Sequence, residues 1–449
     1  MIKTVNKYKV QLECGGLIKG DRRGKHAPSH KLSIEKHNEV LEHISSIPKY
    51  QSRRHTKMLY FQSYLNSSKL YNLYAEKFDD PVSKSKYCEI FRSLNIKFKK
   101  PQLDLCNTCE KLQIQSSLDA EEKSSFKSLQ KEHHDQANFA YSCKKADKQL
   151  SVADKTVMMF SMDLQQCLPT PHINTSMFFY KRPLWTYNFT MHEGSTNKAH
   201  CFIWNETIAK WRSNDIGSCI FKCLSTVPPM VKHIILYSDS CPGQNRNANI
   251  CAMFQMVLKS TTIDHKFLAV GHTHMECDTV HAQIEKKKKN SSGSIQHPHD
   301  WANLMAAANK KYIVHELKQN DFFDFSGLLK NNFNWKTTNS SGEKFEWKKI
   351  RWLRYKKSTP GVLHYKNSFG CNESFKELNI NQRRRKSLDF SLNNCYAGPL
   401  AISSSKKKDL LDVLPFINTE FHCYYKNLKV EGDCEVEVDS DIDEIEENE

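Results

Sequence analysis

One stretch constrains this chain more than any other: HIILYSDSCPGQNRNANICAMFQMVLK, residues 233–259. The apolar, β-branched run Ile234, Ile235, Leu236, Tyr237 reads as a buried strand. It stops at Ser238-Asp239, passes a Pro-Gly break, and resumes near Asn245 as an amphipathic helix. Open α/β sheets place their chemistry at the carboxyl ends of core strands, so Asp239 is the first candidate functional residue.

The 449 residues suffice for two or three domains, each with its own core. No stretch is long enough for a membrane span, and the amino terminus lacks the apolar segment of a signal peptide, so a soluble protein is expected. Sixteen cysteines without a secretory signal point to reduced thiols in the cytosol or nucleus. The net charge of +16 hides an asymmetry. From Glu431 to Glu449 there are 11 acidic residues and no Lys or Arg. The preceding 430 residues hold all 66 basic residues and 39 of the 50 acidic ones, a balance of +27. A body this basic suits a polyanion, most simply DNA, and a nuclear location. The acidic tail, residues 429–449, reads as a solvated disordered end; a covering mimic of nucleic acid is the sharper alternative.

Residues 1–31 read as a basic, irregular arm. Residues 32–109 read as helical. Helices are expected over 33–47, over the aromatic run that begins at Leu59, and from Pro81 with Ser83 as N-cap and Tyr87, Ile90, Phe91 and Leu94 as the buried stripe. The last two resemble a helix-turn-helix, with Lys84, Lys86 and Arg92 placed to meet DNA; an ordinary helical hairpin with solvated lysines explains the same pattern. Cys106 and Cys109 form a CxxC, half of a zinc site whose other half would come from His133, His134 or Cys143, or else two free thiols. Residues 110–152 are polar and rich in helix formers, a long helical connector.

From residue 153 to 315 the texture is β-β-β-α-β-α-β-α. A meander followed by parallel strands added by crossover is the order of a ribonuclease H-like fold. The expected architecture is therefore α/β: a ribonuclease H-like mixed sheet flanked by an N-terminal all-α region and a C-terminal α+β region. That third region, residues 316–428, is basic and aromatic. Arg351 and Arg354 alternate with Trp352 and Tyr355, which suits a nucleic-acid strand or a strand with one buried aromatic face.

The fold makes a demand. Carboxylates ending the first and fourth core strands lie on adjacent strands, and Asp163 and Asp239 fall there. A third should come from the last helix, where Asp278 and Glu285 are both candidates. Clustered carboxylates stay ionised in a shared cleft only beside a cation, and hard oxygen donors favour Mg²⁺ or Mn²⁺. Two such ions would hold the attacking and leaving oxygens of a phosphoryl transfer, with Lys286, Lys287 and Lys288 beside them on phosphates. Singly, each acid has a plainer reading as a strand-end, capping or ion-paired residue.

The segments around D-x-C-x-G-Q-N-x-N at residues 239–247 and GHTHMECD at 271–278 resemble a eukaryotic domain family of unknown function that is itself similar to DDE-type transposases. The resemblance runs over roughly residues 30–425 and implies a transposon-derived, nuclease-like core, with Asp163, Asp239, Asp278 and Glu285 carried over by position. His281 stands where an aromatic or acidic residue is expected, and against that resemblance the amino terminus reads as shortened, within what should be a longer helical, cysteine-containing region. Domesticated copies can keep such a fold and lose the chemistry, so a silent DNA- or chromatin-binding module is the alternative. Homo-oligomers are also open.

Gly271-His272-Thr273-His274 matches the ending of calcineurin-like metallophosphoesterases, but the two other ligand sets of those enzymes are missing. His272 and His274 then assist the carboxylate site or cap the next helix.

Overall fold

The computed structural model describes residues 32–51, 59–61, 65–94, 96–98, 106, 120–173, 178, 180–258, 262–291, 293–370, 373–382 and 390–431, with a few positions before residue 14. Cys109, most of the basic arm and all but the first three residues of the acidic tail lie outside these. The chain divides into two units, residues 1–104 and 105–449.

The first unit packs helices α1 (Ile34–Ser46), α2 (Ser67–Lys77) and α3 (Lys84–Ser93) around Val40, Ile44, Leu70, Tyr74, Tyr87 and Ile90. Ser83 caps α3 by accepting from the Lys86 amide, and Tyr87, Ile90 and Phe91 form its buried stripe. The aromatic run from residue 59 is helical only in its second half, as α2, and its start departs from that expectation. Leu59–Phe61 is β2, set between β1 (Tyr50–Gln51) and β3 (Ile96–Phe98) in a small sheet. Phe61 is fully buried against Phe91 and Phe98, a contact the strand supplies and local spacing does not announce. Lys84 bonds the Ser68 hydroxyl, Lys86 pairs with Glu89 at 2.9 Å, and Arg92 is exposed.

The second unit is a mixed α/β fold on a ten-stranded sheet. The strands are β4 (Val157–Leu164), β5 (Leu168–Thr170), β6 (Leu184–Glu193), β7 (Ala199–Asn205), β8 (His233–Ser238), β9 (Thr262–Phe267), β10 (Tyr312–Glu316), β11 (Trp352–Lys356), β12 (Val362–Lys366) and β13 (Lys376–Asn379). Their order is β10-β7-β6-β4-β8-β9-β11-β12-β13, and β5 pairs with β6. The antiparallel meander β4-β6-β7 is extended by β8 parallel to β4 and β9 parallel to β8.

The central strands are buried on both faces, which is why they read as unbroken apolar runs. Phe160, Met162, Ile234 and Leu236 meet α5 (Ser213–Ser225), α6 (Ala248–Val257) and α9 (Phe325–Asn332) on one side. Met159, Ile235 and Tyr237 meet α4 (Ala120–Ala153) on the other, where α7 (Glu276–Asn290) and α8 (Pro298–Ala308) also pack. The polar stretch read as a connector is thus a layer of the fold, seated through small Ala140 and Cys143. Residues 352–379 belong to the same sheet, because β11 pairs antiparallel with β9. Helices α10 (Ser404–Asp412) and α11 (Thr419–Lys426) close over Leu184 and Ile402. Among the described residues no helix is long and apolar enough to cross a membrane, and every cysteine is a free thiol.

Candidate functional site

Register decides what the two strand-end acids can do. Ser161 on β4 is the partner of Tyr237 on the parallel neighbour β8. Two residues further along β4 stands Asp163, opposite Thr190 of β6, and its side chain shares the face of Ser161. Asp239 follows one residue past the end of β8, in the turn, near enough for its charge to act on Asp163. The first turn of α7 lies over the same place. Ser161 donates to Glu276 at 3.1 Å, and the Cys277 thiol bonds the Ser161 carbonyl at 3.3 Å. Lys144 and Lys148 of α4 clamp Glu276 at 2.7 and 3.3 Å. Burial pushes the Glu276 carboxyl up, but the two ammonium groups outweigh it and hold it down at about 2.

Asp163, Asp278 and His281 place one ligand atom each within 4.8 Å of one another. Burial, then the charges of Asp239 and Asp278, push the Asp163 carboxyl up to about 7. Asp278 goes the other way. Burial raises it, but hydrogen bonds from His274 (2.5 Å) and the Met275 amide (2.8 Å) bring it below the usual carboxylate range. Burial takes the His281 imidazole down to about 4, so it is neutral at physiological pH and keeps a lone pair to offer. Its Nε2 lies 3.0 Å from the Thr190 hydroxyl.

Asp239 and Asp278 add to the repulsion that keeps a proton on Asp163, and a divalent cation beside these oxygens would relieve it. Asp239 contributes charge while its Oδ1 accepts from the Cys241 amide (3.2 Å) and Asn245 (2.5 Å). Glu285, two turns beyond Asp278 on α7, instead accepts from Gln165 at 3.4 Å. Of the two candidate third acids, Asp278 is the one brought to Asp163.

The basic candidates separate by what holds them. Arg354 makes a two-pronged bond to fully buried Asp264, at 2.6 and 2.8 Å, and lies 5.0 Å from the Trp352 ring. Arg351 donates to the Lys348 carbonyl at 2.9 Å. Lys288 abuts His172, whereas Lys286 and Lys287 are exposed. His274 is paired with Asp278; His272 lies elsewhere, its ring 4.8 Å from that of His133. Cys106 is buried near His133, and Cys109 lies outside the described residues.

Two residues of the site are not singled out in the sequence, and a third, His281, stands there only as a departure from the expected residue type. Asn245 and Arg246, in the turn after Asp239, are both buried, and Asn245 orients that acid. His281 follows Asp278 by three residues, a spacing that puts both on one helix face and was the available signal.

Comparison of the chain with curated proteins and with solved structures returns no match. Residues 189–367, from within β6 through β12 and including Asp239, Asp278, His281 and Glu285, match the family model DUF7869, a domain of unknown function.

Proposed function

We propose that this chain is a transposase-derived, nuclear DNA-binding protein with a ribonuclease H-like core and a divalent-metal site for polynucleotidyl transfer. The observation that carries the reading is the convergence of Asp163 on β4 with Asp278 and His281 of α7, beside Asp239 just past the end of the parallel neighbour β8. The strand order β7-β6-β4-β8-β9, with only β4-β6-β7 antiparallel, supports the fold part of it. Mg²⁺ or Mn²⁺ held there would acidify an attacking water or 3′-hydroxyl and stabilise the leaving oxyanion. Asp163 must give up its proton to bind such a cation, and its raised pKa makes that step pH-dependent near neutrality. Asn245 fixes the rotamer of Asp239, and Lys286 and Lys287 on the exposed side of α7 suit phosphates.

A second reading, a catalytically silent DNA- or chromatin-binding module, is favoured by the partners the acids already have. Asp239 is engaged by Asn245, Asp278 by His274, and the His281 imidazole stands where an aromatic or acidic residue was expected. Mn²⁺-dependent strand cleavage or joining on terminal-repeat DNA, compared in wild type, Asp163→Asn and Asp239→Asn, separates the two. Activity in wild type that both substitutions abolish supports transfer. Binding without turnover, or equal turnover in all three, leaves the silent module.

A further inference from the structure

We propose that Cys106, His133 and His272 form a zinc site that ties α4 to the loop entering α7. One sulfur and two imidazole nitrogens converge here, with all three ligand atoms within 4.8 Å of one another. Cys106 Sγ stands 3.3 Å from His133 Nε2, and the rings of His133 and His272 are 4.8 Å apart at 64°. A tetrahedral zinc, with bonds of about 2.0–2.1 Å to nitrogen and 2.3 Å to sulfur, spaces its ligand atoms about 3.3–3.6 Å apart. Small closing movements of side chains reach that spacing. A thiolate with imidazoles selects zinc over Mg²⁺, in contrast to the oxygen-rich set at Asp163.

The backbone around the cluster is shaped to bring its parts together. Gly271 adopts φ +73°, and a Cβ there would lie 2.5 Å from the Cys106 Cβ and 2.6 Å from its sulfur. Only glycine lets the loop approach so closely. Cys106 is 3 % exposed, its sulfur 3.6 Å from the Val270 carbonyl. Tyr141 of α4 adds a second tie, donating to the His272 carbonyl (2.8 Å) and accepting from the His274 amide (3.1 Å). His274 in turn holds Asp278. A metal at His272 therefore fixes the loop from which the carboxylate face of α7 departs. The site stands independently of whether those carboxylates cleave DNA.

The full-length chain, loaded with Co²⁺ in place of zinc, tests this. One cobalt per chain should give thiolate-to-cobalt absorption in the near ultraviolet, and Zn²⁺ but not Mg²⁺ should displace it. Cys106→Ser should abolish that absorption. His133→Gln and His272→Gln should weaken Zn²⁺ binding by more than the roughly 10–100-fold that loss of an outer-shell partner costs. Asp163→Asn and Asp278→Asn should retain the absorption, which separates this site from the carboxylates. Far-ultraviolet circular dichroism checks folding, and if Cys106→Ser does not fold, the two histidine variants decide. Absorption that survives Cys106→Ser, Zn²⁺ affinity unchanged in both histidine variants, or no thiolate signal in wild type overturns the proposal.

Discussion

At the scale of single residues, Asp163 stores a cost that its surroundings do not relieve. Its folded pKa of about 7 lies above the roughly 3.9 of an unfolded aspartate, so the folded state holds the extra proton between those values. Stability is therefore lost as pH rises from about 4 through 7, and the loss is complete above 7. Asp163→Asn should stabilise the metal-free chain by roughly 2–4 kcal/mol at pH 8 and by clearly less at pH 5. Urea unfolding at the two pH values in EDTA measures it; an equal gain at both would remove burial and repulsion as the cause. Asp264 is the opposite case. Burial raises its carboxyl, but the Arg354 fork and His233 at 2.8 Å outweigh that and hold it well below the usual range. Its contribution is present above the ordinary carboxylate pKa and is lost only as pH falls through the depressed folded value. Arg354→Ala should cost about 3–5 kcal/mol by leaving that carboxylate buried and unpaired, and Asp264→Leu/Arg354→Leu should cost less. Undiminished stability with weakened DNA binding in Arg354→Ala would instead make this arginine a nucleic-acid contact.

At the scale of elements, legibility followed locality. The strands β4, β6 and β8 could be read because each is a largely apolar run that meets Asp, Pro or Gly within a few residues, and β7 because its run AHCFIW gives way to Asn-Glu-Thr. The three-residue β5 holds Pro169 and left no such trace. The docking of α4 was hidden as well, since only a few of its positions are small or apolar and the rest are polar. The Asp163–Asp239 pair followed from topology, whereas Cys106 and His272 meet across 166 residues and no spacing rule joins them. The loop between β9 and α7 depends on such long-range ties, so Tyr141→Phe is the informative change. It removes two hydrogen bonds, each worth about 0.5–1.5 kcal/mol, to the backbone of residues 272 and 274. Hydrogen–deuterium exchange should quicken over residues 270–278 while β4 and β8 stay protected. Unchanged exchange in that loop would mean that α4 does not hold it.

At the scale of the whole molecule, charge is the property that the fold does not explain. A body of +27 followed by a tail of 11 acids is a strong separation along one chain, and the sheet needs neither. If the proposed DNA binding holds, neutralising phosphates releases counterions, and the logarithm of the binding constant should fall linearly with that of salt, by about 0.9 per phosphate contacted. If the tail competes with DNA for the basic surface, a chain ending at residue 430 should bind duplex several-fold tighter at low salt, with a steeper slope. The advantage should shrink as salt screens both the tail and the DNA. If the tail is only solvated, the two chains will show the same slope and affinities within twofold. Filter binding or anisotropy at several salt concentrations, with Asp239→Asn in parallel to suppress turnover, distinguishes these. A slope shared by both chains would assign the tail to solubility alone and any DNA affinity to the basic body, and no salt-dependent binding by either chain would remove DNA as the partner of that body.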